Sequence, residues 1–319
     1  MATSEQLNAL IKAHYDGDNE RFKTLTLQIA AHEAKIGHAV IAQKLKEATI
    51  KAPPPAISRI QTTESDLIFS TNPKKRKSDL IVSEKLSKQI DTIILEFTQR
   101  SKLNQSGYKN RKKILLEGLS GTGKTLTASV IAGELKLPLF IVQLDKLISK
   151  YMGETGVKLR QIFDAMMRRI GIYFFDEFDS IGSERSSDND VKEMHRVLNL
   201  FLQFIEEDVS ESIIIAATNS GHLLDQALFR RFDDVLRYNL PAKTEIGSLL
   251  TLKLNKFVPK NFIVDEIIKA ATSLCHADIA KACENAIKQA ILNDEKQISK
   301  EILLEMLAER KAVYARDGE

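Results

Sequence analysis

The residues best able to do chemistry form one run, Gly118-Leu119-Ser120-Gly121-Thr122-Gly123-Lys124-Thr125. It fits G-x-x-x-x-G-K-[ST] at every position. Gly121 and Gly123 let the backbone turn so that successive N–H groups point at a single anion. Lys124 adds a point charge for the β- and γ-phosphates, and the Thr125 hydroxyl is a ligand type for Mg²⁺. A helix starting near Lys124 presents its positive end to the same anion. Gly118, Ser120, Gly121, Thr122, Gly123, Lys124, Thr125 and Leu126 are therefore expected around the phosphates of ATP. A glycine-rich structural turn is the alternative, and the apolar run before it and the helical spacing after it argue against that.

A second group of reactive residues follows Ile172-Tyr173-Phe174-Phe175, an apolar run that ends in Asp176-Glu177. In an open α/β sheet, ligands sit at the carboxyl ends of the strands. Asp176 is expected to face Mg²⁺, and Glu177 to polarise an attacking water as general base. Capping of the next helix is the other use for two such acids.

These groups need strands and helices to hold them. Residues 114–116, 139–142, 172–175 and 213–216 are continuous apolar runs separated by segments of helical spacing. That pattern predicts an α/β fold, a P-loop parallel sheet with helices on both faces. After Pro241 only helical patterns remain, with Ile267, Ala270, Ile279, Ala282, Ala286 and Ile287 on apolar faces. The expected organisation is a helical N-terminal adaptor at 1–50, a flexible linker at 51–78, a large α/β domain at 79–241 and a small all-helical lid at 242–319. The linker expectation rests on Pro53-Pro54-Pro55, frequent Ser and Thr, and the basic run Lys74-Lys75-Arg76-Lys77, read as a solvated charge run.

Bulk properties exclude several classes. The 319 residues carry a formal net charge of +3, and 6% are aromatic. Neither value points to nucleic acid, and such a partner is not expected. The cluster Lys109, Arg111, Lys112 and Lys113 is the one feature in its favour, and reads better as solvated surface or a subunit boundary. Cys275 and Cys283 form no C-x-x-C pair, so neither zinc nor a disulfide framework is indicated. No apolar run approaches the ~20 residues of a membrane span, and the first residues carry no leader pattern. No membrane span and a cytoplasmic location are the expectation.

Taken together, these motifs resemble the AAA family of ATPases, in the branch of membrane-fission and substrate-unfolding rings. The resemblance runs from about Asp79 to Asn293. Lys150-Tyr151-Met152-Gly153-Glu154 looks like the first pore loop, which implies that Tyr151, Met152 and Gly153 grip an extended polypeptide. Ala216-Ala217-Thr218-Asn219 resembles the sensor-1 segment, which implies that Asn219 lies between the γ-phosphate and the acids. The stretch from Asp225 to Asp233 resembles the arginine-finger segment. It is shortened so that Arg230 and Arg231 are adjacent. Arg231 is the expected finger, with Arg230 a second contact or the finger itself. Cys275-His276-Ala277-Asp278-Ile279 resembles the start of the sensor-2 helix without its arginine. Ala277 is expected near the nucleotide, and His276 there or in a structural role. Leu119-Ser120 stand where the branch has two prolines.

The resemblance implies a Mg²⁺-dependent ATPase working as a homo-hexameric ring that remodels, unfolds or translocates a protein. Its N-terminal helices would recruit a substrate or an effector partner. Two further readings are an ATP-gated ring that activates an effector such as a serine protease, and a nucleic-acid-dependent ATPase. The short Phe-Arg-Arg-Phe-Asp-Asp segment is also similar to bacterial defence ATPases paired with a subtilisin-like protease.

Overall fold

The structure, a computed structural model, describes residues 8–10, 12–13, 19–51, 67–147, 152–178, 188–219, 229–259 and 262–315. It divides into two compact units, Met1–Thr62 and Thr63–Glu319.

Among the described residues, the first unit shows the helices α1 (Asn19–Lys35) and α2 (Ala39–Lys51). They form a hairpin whose turn contains Gly37 at φ +91°, a left-handed angle that glycine adopts without strain. Ile29, Ala30 and Ala42 are buried. Glu33, only 4% exposed, accepts from His38 Nδ1 at 2.6 Å, so the buried carboxylate at the turn is partnered.

The second unit is built on a six-stranded sheet. Its strands are β1 (Ile68–Thr71), β2 (Lys113–Gly118), β3 (Leu139–Val142), β4 (Ile172–Phe175), β5 (Ile213–Thr218) and β6 (Asp234–Tyr238). Their spatial order is β1-β3-β4-β5-β2-β6. β1 pairs antiparallel with β3, and every other neighbour is parallel. All residues of β4 and β5 are buried, as a sheet covered on both faces requires. The covering helices include α3 (Glu84–Thr98), α5 (Lys124–Leu135), α7 (Met152–Arg168) and α8 (Asp188–Glu207). The short helices α4 (Arg100–Gln105) and α6 (Leu144–Leu147) lie between them in the chain. α3 shows why such a segment is helical. Ser83 Oγ accepts from Leu86 N, capping the first turn. Leu86, Ile90, Ile93 and Phe97 then recur at helical spacing and are all buried.

Four helices follow the sheet: α9 (Lys243–Leu254), α10 (Asp265–Ala271), α11 (His276–Leu292) and α12 (Lys300–Ala315). They enclose a core of their own, which includes Ile246, Leu250, Ile267, Ile279, Ala282, Ala286 and Leu303. Ala270 and Ile287 pack against it, half-buried.

Two features depart from the expected pattern. Residues 67–78 fall in the segment expected to be linker, yet they hold β1 and a docked stretch. β1 is short and at the edge, with Phe69 57% exposed, so it has one paired side and no apolar periodicity to betray it. The basic run is not simply solvated either: Arg76 Nη1 donates to Gly133 O and Lys77 N to Glu134 Oε1, both on α5. β6 is the second departure, a strand the sequence reading did not assign. Its order Asp-Val-Leu-Arg-Tyr buries Leu236 and Tyr238 and exposes Arg237, too short an alternation to stand out.

Candidate functional site

The phosphate loop leaves β2 at Gly118. A Cβ there would lie 2.3 Å from the Tyr238 carbonyl oxygen of β6, so glycine alone lets the two backbones run this close. Gly121 and Gly123 have φ +74° and +106°, and Thr122 Oγ1 donates to Leu119 O at 2.7 Å, closing the loop. Lys124 opens α5, and its Nζ donates to Gly118 O, Leu119 O and Asn219 Oδ1 at 2.7, 2.9 and 2.7 Å. The ammonium is thus held over the loop by acceptors that a phosphate can replace.

Neighbouring strands bring the remaining groups. β5 lies beside β2 in the sheet and β4 beside β5, all parallel, so Asn219 and Asp176 leave the carboxyl ends of these strands on the same side as the loop. Asp176 Oδ2 accepts from Thr125 Oγ1 at 2.9 Å. Glu177, exposed, has φ +51°, a left-handed conformation that costs a non-glycine residue energy and recurs at functional sites. Its N–H donates to Asp176 Oδ1 at 3.0 Å.

The helices that follow the sheet, expected to form a lid, border the other side. Ala277 N, in the first turn of α11, donates to Gly121 O at 2.9 Å. A Cβ on Gly121 would meet Cys275 Sγ at 2.5 Å, so the loop and the lid touch at a glycine. The Cys275 thiol donates to Asp278 Oδ2 at 2.9 Å, and burial, then this bond, pushes its pKa up. His276 lines the same wall. Both of its ring nitrogens are buried without a hydrogen-bond partner among the described residues, and burial lowers its pKa, opposed weakly by Glu245. The imidazole is therefore neutral near pH 7.

These groups border one cleft of about 320 Å³, within the range of small-molecule sites. Of the residues expected around the nucleotide, Ser120 through Leu126, Asp176, Glu177, Asn219, His276 and Ala277 line it. Gly118 stands behind it, as an acceptor for Lys124. Asp79, Leu80, Ile81, Leu249, Lys253 and Ala280 also line it, and the sequence reading did not name them. Leu80, Ile81 and Leu249 give the cleft an apolar wall, which suits a flat base; Leu80 reaches as far as Gly123 of the phosphate loop. Their one signal was the Leu80-Ile81-Val82 run just inside the domain boundary.

Arg230 and Arg231 are elsewhere. Asp233 N donates to Lys113 O at 2.7 Å, and Asp233 Oδ2 accepts from the N–H groups of Lys112 and Lys113 at 2.9 Å each. Register pairs Ile114 with Asp234 and Gly118 with Tyr238. The two arginines thus stand at the amino end of β2, and the phosphate loop begins at its carboxyl end. Strand rise separates those ends by roughly 16 Å, more than an arginine side chain spans. Arg231 Nε pairs with Glu206 Oε1 at 2.6 Å. Arg230 is exposed. Among the described residues no arginine lines the cleft.

Tyr151 lies outside the described residues, and of Met152 and Gly153 only the backbone, at the start of α7, is described. The basic cluster before β2 is not an open patch. Arg111 pairs with Glu96 and Asp234 at 3.1 and 2.7 Å, and Lys112 with Asp208 at 2.7 Å. These carboxylates neutralise the charge that a nucleic-acid backbone would need.

Residues 114–240, from β2 through β6, match the family model described as "ATPase family associated with various cellular activities (AAA)". Over 99% of its length the chain is 33% identical to an uncharacterized AAA family ATPase, y4kL, of Sinorhizobium fredii, covering 98% of that protein. The chain belongs to the AAA family of ATPases. Two further relatives are more distant in length. An ATP-dependent zinc metalloprotease FtsH 2 of Thermoanaerobacter is 31% identical over 67% of this chain, which spans 43% of that protein. A putative 26S proteasome regulatory subunit homolog of Methanocaldococcus jannaschii is 30% identical over 77% of this chain and 67% of its own length. Among the described residues of this AAA ATPase, no group of three His, Cys, Asp or Glu is placed to hold a metal, and no helix is long and apolar enough to cross a membrane.

Proposed function

We propose that this AAA ATPase works as a homo-hexameric ring that uses ATP hydrolysis to remodel, unfold or translocate a protein. The observation that carries the ring is the position of Arg230 and Arg231. Both stand at the opposite end of β2 from their own phosphate loop, and among the described residues no arginine lines the cleft. An arginine that steadies the charge of phosphoryl transfer must then come from another copy. A head-to-tail contact of that kind closes into a ring when its rotation permits.

Each group has a task at such a site. Lys124 exchanges its loop carbonyls and Asn219 for the β- and γ-phosphates. The Thr125 hydroxyl and the Asp176 carboxylate are adjacent hard oxygen donors, the set that Mg²⁺ prefers; that ion neutralises charge on the phosphate oxygens. Glu177 takes the proton of the attacking water, and Asn219 orients that water once Lys124 has turned to phosphate. The segment of Tyr151, Met152 and Gly153 grips the polypeptide, and the helices within residues 1–50 recruit it or an effector. A protein substrate is in keeping with relatives named as an ATP-dependent metalloprotease and a proteasome regulatory subunit homolog.

The test is Mg-ATP hydrolysis per chain across a wide range of protein concentration, with Glu177→Gln as control. A rate per chain that rises with concentration, and a control that binds ATP without hydrolysing it, are expected. A rate per chain independent of concentration down to the monomeric range would rule out the shared site. Tyr151→Ala should then spare hydrolysis and abolish processing of a protein substrate.

A further inference from the structure

The basic segment between β1 and α3 takes no part in the chemistry proposed above, yet it is fastened to two helices at one end and walls the cleft at the other. The fastening begins at Gly133, near the end of α5. A Cβ on Gly133 would meet the Lys75 carbonyl oxygen at 2.0 Å, so the segment lies across the helix at a distance that glycine alone permits. Arg76 Nη1 donates to Gly133 O at 3.0 Å. That carbonyl is among the last four of α5, which have no partner within the helix. Lys77 N donates to Glu134 Oε1 at 2.9 Å, and Lys77 Nζ donates to Asp91 of α3 at 2.6 Å. The strap therefore ties α5 to α3.

The strap leads straight into the cleft. Asp79 Oδ2 accepts from Arg76 N at 2.9 Å, and Leu80 N donates to Lys77 O at 3.0 Å, forming one tight turn. The chain then extends, and its alternation divides its side chains. Leu80 and Val82 pack into the core of the sheet, and Ile81 packs against the core of the lid. Asp79, Leu80 and Ile81 line the cleft. The phosphate-binding groups sit instead on the loop and on the first turn of α5.

We propose that Arg76 and Lys77 are positioning residues for nucleotide binding. By holding the strap against α5 and α3, they fix the wall on which the base half of the nucleotide rests. The inference rests on the reading of the cleft as the ATP site. Its consequence is a separation of effects. Loosening the strap weakens whatever uses the apolar wall and spares what uses only the phosphate loop.

The experiment uses the full chain with Arg76→Ala, Gly133→Ala and Arg76→Lys. Gly133→Ala is the sharper variant, because alanine is the better helix former and is harmful here only if the strap's close approach matters. Two probes are compared in the presence of Mg²⁺: a fluorescent ATP analogue and inorganic tripolyphosphate as its competitor. Arg76→Ala and Gly133→Ala should raise the dissociation constant of the nucleotide by about five- to tenfold, the scale of one lost intramolecular hydrogen bond. Tripolyphosphate binding and kcat at saturating ATP should stay within twofold of wild type, so the loss appears in KM. Arg76→Lys keeps a donor and should recover most of the affinity. Unchanged nucleotide affinity in both variants, or equal weakening of nucleotide and tripolyphosphate, overturns the proposal. Failure of the wild-type chain to bind the nucleotide would instead overturn the reading of the cleft.

Discussion

Replacing Arg230 with alanine should leave ATP binding intact and lower kcat by about 10³-fold or more, near 4 kcal/mol of barrier. Arg230 is singled out over its neighbour because of what each side chain does at home. Arg231 is half-buried and its Nε is held by Glu206 at 2.6 Å, whereas Arg230 is exposed and has no ion pair among the described residues. Freeing Arg231 means breaking that pair, and the carboxylate partner is 53% exposed. Arg231→Ala should accordingly cost the fold about 0.5 kcal/mol and reduce the rate far less. The decisive assay mixes two inactive proteins. Lys124→Ala lacks the phosphate contact and Arg230→Ala lacks the finger, and neither should hydrolyse ATP alone. In rings formed at random from equal amounts, a working site needs an intact Lys124 in one copy and an intact Arg230 in the next. Half times half leaves about a quarter of the sites competent. Recovered activity near that fraction supports an arginine given across the boundary. Proven co-assembly without recovery, or an Arg231→Ala protein that is inactive alone and recovers with Lys124→Ala while Arg230→Ala is active alone, refutes the assignment.

Two further outcomes follow from buried groups. Burial pushes the Cys283 thiol from 9.0 up to about 12, so the unfolded chain loses that proton first as pH rises. Its contribution to stability is whole below about pH 9 and falls by up to about 1.4 kcal/mol per unit towards pH 12. Denaturant titrations at pH 8.5 and 10.5 should show this decline, and Cys283→Ala should reduce it. Asp208→Asn should destabilise the fold by about 2–3 kcal/mol, because it leaves the Lys112 ammonium, 17% exposed, with neutral acceptors only. A thermal unfolding scan checks this, and an unchanged midpoint would mean that the backbone oxygens of Ser210 and residue 208, at 2.6 and 3.2 Å from Lys112 Nζ, suffice.

The parallel sheet was legible because its central strands are buried on both faces. Residues 114–116, 139–142, 172–175 and 213–216 are apolar without interruption, a signal that needs no knowledge of neighbours. The edges lacked it. β1 carries Ser70 and Thr71 and exposes Phe69, and β6 carries Asp234 and Arg237. Each becomes a strand by pairing with β3 or β2, an interaction between residues about 70 and 120 positions apart, which no local window sees. The phosphate end of the cleft was equally legible, because loop, hydroxyl and carboxylate are motif-bound in spacing. Its apolar end was not. Leu80, Ile81 and Leu249 are ordinary hydrophobic residues until the chain brings them together. The basic run at Lys74–Lys77 misled for a related reason: four charges in a row describe a solvated linker in composition, and Gly133, which permits the docking of that run, lies more than fifty residues away.

The joint between the two cores is what gives the cleft mechanical meaning. Ile81 belongs to the lid core, Leu80 and Val82 to the sheet core, and Ala277 of the lid is hydrogen-bonded to Gly121 of the phosphate loop. A ligand in this cleft therefore touches both bodies at once. It can favour one lid position only through contacts that differ between positions. The phosphate-side groups are rooted in β2, β4 and β5, of which β4 and β5 are buried along their whole length. On the lid side the cleft is met by His276, whose ring nitrogens lack hydrogen-bond partners among the described residues, by Lys253 and by the Ala277 bond. Among the described residues, the phosphate loop meets the lid at the Gly121–Ala277 hydrogen bond and meets the strap wall where Leu80 approaches Gly123. Alanine substitution at Gly121 and Gly133 would test these two routes.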